Sequence, residues 1–154
     1  MSNVTDIYDK LSTLLSTSFS SKTVIPNPFD TAQNNDNLLK NGYGFYYGGA
    51  GLPTFNLPSF QGYAREFVLV LTREVYRTDA DTSLFGSTQK SMLEDQYTFI
   101  SSLAKDRTLD NDLVSVEFTG DSGIEFIYAD KFSHLRLIST FEVQYKEDVS
   151  YCYP

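Results

Sequence analysis

Tryptophan is absent from this chain, and cysteine and histidine occur once each, as Cys152 and His134. A single thiol closes no internal disulfide, so nothing in the cysteine usage asks for an oxidising compartment. One Cys and one His are too few for a Cys/His zinc site. A catalytic or metal-binding histidine also needs partners, so His134 reads as a surface or strand-end residue. Basic residues are scarce, with 12 Lys and Arg against 20 Asp and Glu, a net charge of −8. That balance argues against a phosphate-gripping surface and against anionic membranes. No stretch approaches the roughly 20 apolar residues of a membrane span. No N-terminal segment joins basic residues to an apolar run as a signal peptide does. The expectation is a soluble chain, made in a cytoplasm, with no membrane partner.

Aromatic residues are plentiful: 12 Phe and 11 Tyr make 15% of the chain. They bury large areas and are enriched at protein interfaces. A length of 154 residues suits one domain, 1–154, able to bury roughly two-thirds of its unfolded surface.

Hydrophobic periodicity sets out the elements. Val4, Ile7, Tyr8, Leu11, Leu14 and Leu15 fall on one stripe of a helix over 3–18, with Asn3 as its cap. Thr23-Val24-Ile25 is a short strand stopped by Pro26 and Pro28. Residues 27–41 read as a polar loop, 43–47 as a strand, and 48–62 as a Gly/Pro-rich loop; 27–62 is thus largely an insertion arm. Its greasy residues Leu52, Phe55, Leu57 and Phe60 set it apart from a disordered linker. The strongest strand is 64–77. Phe67, Leu69 and Leu71 lie on one face and Val68 and Val70 on the other, so the strand should be central and covered twice. In so small a domain the second cover can be a neighbouring subunit.

Ser87 caps a helix over 88–105, with Met92, Leu93, Tyr97, Phe99, Ile100, Leu103 and Ala104 on one arc. Strand 113–119, a hairpin turn at Gly120-Asp121-Ser122-Gly123 and strand 124–129 follow, with Val114, Val116, Phe118, Ile124, Phe126 and Tyr128 inward. The last strand alternates through Leu135, Leu137, Phe141, Val143 and Tyr145; Ser139 and Ile138 break the alternation. Residues 148–154 form a tail. The order α-β-β-β-α-β-β-β predicts an α+β fold: an antiparallel or mixed sheet with two α-helices on one face.

No motif carries chemistry. Asp79/Asp81 and Asp106/Asp110/Asp112 do not fit a calcium loop, since Leu84 and Lys90 stand where its turn glycine and bidentate glutamate belong. Gly48-Gly49-Ala50-Gly51 lacks the Lys-Ser/Thr ending of a phosphate loop, and Pro53 follows instead of a helix. No serine has a nucleophile elbow. The sequence therefore recommends no enzyme, metal or cofactor.

The layout resembles the tail-terminator proteins of long-tailed bacteriophages. The resemblance is carried by the helix around Asp6-Ile7-Tyr8, the turn Val24-Ile25-Pro26-Asn27-Pro28 and the strand Glu66-Phe67-Val68-Leu69-Val70-Leu71. The helix around Leu93, Tyr97 and Ile100 and the close Phe141-Glu142-Val143-Gln144-Tyr145 complete it. It implies a homo-oligomer, a hexameric ring at the head-proximal end of the tail tube. Such a ring ends tube polymerisation, binds the tail-tube protein, and offers a docking surface to the head–tail connector or stopper protein. DNA passes through the lumen without specific binding, and the protein resides in the virion tail or neck. Leu52, Phe55, Leu57, Phe60, Val68 and Val70 are the expected subunit-interface residues. A neck, head-completion or tail-tube subunit is the alternative within this class; a small-ligand binding module with Phe/Tyr-rich strands around a pocket is the alternative outside it.

Overall fold

A computed structural model describes residues 3–51, 56–57, 60–75, 82–105, 114–127 and 133–148. Helix α1 spans Asn3–Ser18, β1 Thr23–Val24, α2 Asp36–Leu39, β2 Asn41–Gly51, β3 Asn56–Leu57 and β4 Phe60–Val75. Helix α3 (Thr82–Lys105) and strands β5 (Val114–Ile127) and β6 (Ser133–Asp148) follow. One sheet runs in the order β1-β2-β4-β6-β5, with the two-residue β3 also pairing with β4. The β1–β2 pair is parallel and the others are antiparallel, so the fold is α+β with a mixed sheet.

The main core lies between the two long helices and one face of this sheet. Ile7, Leu11 and Leu15 recur every four residues along α1 and are fully buried, and Phe19 continues the stripe. From the sheet come Tyr43, Phe67, Leu69, Leu71, Val116, Leu135, Leu137, Phe141, Val143 and Tyr145. Each fully buried Leu, Ile or Phe contributes about 1.5–3 kcal/mol of transfer free energy. The long strands β4 and β6 pair without interruption from Phe60↔Asp148 to Val75↔Ser133, which makes them the rigid centre.

The stripe of α3 that faces this core is Met92, Gln96, Phe99 and Leu103. The expected arc is therefore displaced. Leu93 and Tyr97 are exposed, at 48% and 70%, and Gln96 takes the inward place. Its amide nitrogen donates to Ser139 Oγ at 2.9 Å and to Asp121 Oδ2 at 3.0 Å. Ser139 breaks the apolar alternation of β6 because it meets this polar side chain. The helix also begins at Thr82, so Ser87 lies inside it and does not cap it.

The second face of the sheet has its own cover, built by the chain. Residues 25–40, expected as mostly loop, contain a 3₁₀ turn at Thr31–Gln33 and the short helix α2. Asparagines stitch this segment together. Asn34 Nδ2 donates to the carbonyl of Asn27 at 2.8 Å, and Asn34 Oδ1 accepts from the Asn27 amide at 3.1 Å. Asn35 caps α2 through its side-chain oxygen. The cover lies so close that a Cβ on Gly44 would fall 2.8 Å from Pro28 Cβ, and one on Gly42 2.4 Å from the Leu38 carbonyl oxygen. Beneath it Val70, between Gly44 on β2 and Ile138 on β6, is wholly buried. That explains Ile138, the other break in the alternation. His134 is fully buried on this face, not on the surface, with Nε2 2.8 Å from Thr31 Oγ1.

The predicted hairpin at residues 120–123 is absent. β5 is one strand whose two halves both pair with β6, so two strands follow α3 and not three. Two bulges interrupt the register, between Phe118 and Gly120 and between Asp121 and Ile124. At each, β5 carries one residue more than β6. Gly123 at φ +73° supplies the left-handed backbone, and Asp121 Oδ1 accepts from its amide at 2.8 Å. Ser122 Oγ accepts from the Ile138 amide at 3.1 Å, so a side-chain oxygen serves that amide beside the bulge. The glycines signal a backbone excursion in either case. The length of β6, 16 residues, decides that both halves pair with one partner. Much of the expected 27–62 arm is also regular, since β2 reaches Gly51 and β4 begins at Phe60.

Candidate subunit interface

The six residues expected at an interface are separated by the fold. Val68 and Val70 are 2% and 0% exposed within one chain, so they offer no area to a neighbour. The second cover they require is supplied in part by residues 25–40, which the periodicity of the polar loop did not reveal. Leu52 and Phe55 lie outside the described residues. Leu57 and Phe60 pair with each other in register at the turn from β3 into β4; their side chains lie outside the described residues. The acidic clusters Asp79/Asp81 and Asp106/Asp110/Asp112, and Cys152, also lie outside them.

Among the described residues, the sheet leaves backbone open at both sides. β5 is an outermost strand of 14 residues. On the other side β1 pairs with β2 only at Gly42 and Tyr43, and no described strand flanks β2 from residue 44 to 51. Unpaired strand edges are templates for a further strand. Beside the β5 edge, Phe118 and Phe126 are 39% and 48% exposed although they face the core side. α3 leaves both rings part-exposed there. A cleft of about 280 Å³ between α3 and β5 is lined by Ile100, Leu103, Ala104, Val116, Phe118 and Phe141, with Glu117 among them. Sequence alternation marks Phe118 and Phe126 as inward without telling a covered centre from an uncovered rim.

On the opposite face, beyond the cover, Glu66, Glu142 and Glu117 stand abreast on β4, β6 and β5. Like charges directly opposite one another are unfavourable. Gln144 Nε2 donates to Glu142 Oε1 at 2.5 Å and disperses part of that charge. The row gathers three acidic side chains at this end of the face.

Two sets of charged groups tie elements together. Asp95 on α3 receives Lys22 Nζ at 2.8 Å and Arg73 Nη2, while Lys22 also donates to Asn41 Oδ1 at 2.6 Å. This cluster pins the segment after α1, the start of β2 and the end of β4 to α3. Burial pushes the Lys22 ammonium below its ordinary value, and the hydrogen bond to Asp95 partly offsets that. On the rim of the second face, Arg136 Nη2 pairs with Glu125 Oε2 at 2.7 Å and holds that carboxyl below its usual range. Among the described residues, no group of three His, Cys, Asp or Glu side chains could hold a metal. No helix among them is long and apolar enough to cross a membrane. No protein-family model matches the chain, and no curated protein is significantly similar to it.

Proposed function

We propose that this chain is a virion structural subunit, a tail terminator. It closes into a ring at the head-proximal end of the tail tube, ends tube polymerisation there and presents a surface to the head–tail connector. The observation that carries this reading is the sheet with two edges left unpaired by the described residues, on opposite sides, β5 and the outer half of β2. Joining one edge to the other in the next copy is a heterologous contact. Such contacts close into rings when the rotation per copy divides the circle. Phe118, Phe126 and the cleft between α3 and β5 add apolar area beside the β5 edge. The Glu66–Glu142–Glu117 row suits a surface past which DNA slides, because it repels phosphate.

Native mass spectrometry of the pure protein tests the ring, and addition to purified tail tubes tests the capping. A closed ring of six copies that arrests tube growth is expected. A strict monomer at high concentration that leaves tube growth unchanged overturns the proposal. Filaments of the pure protein would instead identify a tube subunit.

A further inference from the structure

Arg65 is a cation on the apolar face of the central strand. It shares that face with Tyr63, Phe67, Leu69 and Leu71 and lies in register with buried Val143. Its direct contacts among the described residues are neutral groups. Nη1 donates to the Gly48 carbonyl at 3.1 Å, Nε is buried without an acceptor among the described residues, and the guanidinium lies 5.9 Å from the centre of the Tyr47 ring. Among the described residues no carboxylate forms an ion pair with it. This occurs in a chain with 20 acids and 12 bases, where an acidic partner is easily supplied.

Arg65 lines an open cleft of about 380 Å³ with Val4, Thr5, Tyr8, Asp9 and Tyr47. The volume is in the range of small-ligand sites. Tyr8 packs against Phe45 and Tyr47, with ring centres 5.1 and 5.4 Å apart, so one wall is aromatic. Tyr47 cannot act as the missing anion. Its hydroxyl donates to the Val4 carbonyl at 2.9 Å, and burial raises its pKa, so the phenol stays neutral.

We propose that this cleft binds a carboxylate carried on an apolar or aromatic body. The carboxylate meets the Arg65 guanidinium, whose planar fork matches it. The body lies against Tyr8 and Tyr47. The site stands independently of the ring reading. The chemistry has two sources, a free small acid or an Asp/Glu side chain beside an aromatic residue in a protein segment. Asp9, exposed at the rim, is the acid of the cleft and opposes the ligand's charge.

The test is an NMR titration of the full chain with benzoate, with benzamide as its uncharged match, and with a blocked Gly-Phe-Glu-Gly peptide. Saturable shifts of the Arg65 side-chain and Tyr8 and Tyr47 ring signals are expected with benzoate or the peptide and not with benzamide. Arg65→Gln should weaken binding by roughly tenfold or more, the loss of one charge-assisted contact, and Arg65→Lys by less. Asp9→Asn should tighten it. The wild-type side-chain signals report on the site even where a variant folds poorly. Tighter binding of the peptide identifies a protein segment as the source, and tighter binding of benzoate a free acid. Absence of saturation with both acids at concentrations on the order of 10 mM overturns the proposal. Equal binding of benzamide, or unchanged binding by a folded Arg65→Gln protein, does so too.

Discussion

Single side chains explain the places where simple alternation breaks. Gln96 is buried in an apolar stripe because Ser139 and Asp121 together satisfy its amide. Truncating it to Ala strands buried Ser139 and opens a cavity, at a cost of about 1–3 kcal/mol. Urea denaturation should show that loss. Gln96→Met combined with Ser139→Ala should recover most of it, because the buried pair then becomes apolar and the exposed Asp121 carboxylate is left to water. Tyr47 supplies a pH prediction. Its folded-state pKa is raised by burial, while the unfolded phenol keeps its ordinary value near 10. The folded protein therefore retains a proton that the unfolded chain releases. The stability held by neutral Tyr47 is complete below pH 10 and is lost as pH rises beyond it. Glu125 works at the other end. Its pKa is lowered, chiefly by the Arg136 hydrogen bond, so its contribution is present above the ordinary carboxylate range and fades as pH falls through the depressed value. Denaturation midpoints against pH should accordingly flatten on the alkaline side in Tyr47→Phe and on the acid side in Glu125→Gln.

At the scale of elements, the decisive pieces are the 25–40 cover and the bulged strand. The cover joins the sheet through Thr31 and His134, both fully buried. Thr31→Val keeps the shape and removes the hydroxyl from His134 Nε2. A loss of about 1–3 kcal/mol is expected, read by urea denaturation. If the cover shields the β4 centre as described, hydrogen exchange of the amides around Val70 should quicken in the same variant. Unchanged exchange there would mean that the cover stays seated without this bond. In β5, Gly123 and the Asp121 and Ser122 side chains turn a would-be hairpin into a bulge pair. The bulges also break the open edge into two shorter regular stretches, which limits indiscriminate strand pairing.

At the scale of the whole molecule, the middle of the sheet is finished through its thickness, and among the described residues its edges are unfinished. Residues 67–72 of the central strand are sealed on both faces within one chain, which moves self-association there from the faces to the rims, while Glu66 stays exposed on the second face. Phe118→Asp with Phe126→Asp should therefore weaken assembly far more than folding, since both side chains are part-exposed. Native mass spectrometry beside a melting curve checks this. Equal loss of melting temperature and assembly would show that the two rings serve the core alone.

Sequence alone determined the extent of α1, the central place of β4 with its two apolar faces, and the long alternating β6. These follow from local periodicity, which reports how each residue is oriented around its own element. Tertiary structure decided what stands opposite each face. The polar, Asn-rich 25–40 segment gives no apolar period, because its order comes from side-chain hydrogen bonds between residues brought together by the turn. The same pairing turned residues 120–123 from a hairpin into a bulge and left Phe118, Phe126 and Arg65 at the margins of the core. Periodicity says which way a side chain points; only the assembled sheet says whether anything is there to meet it.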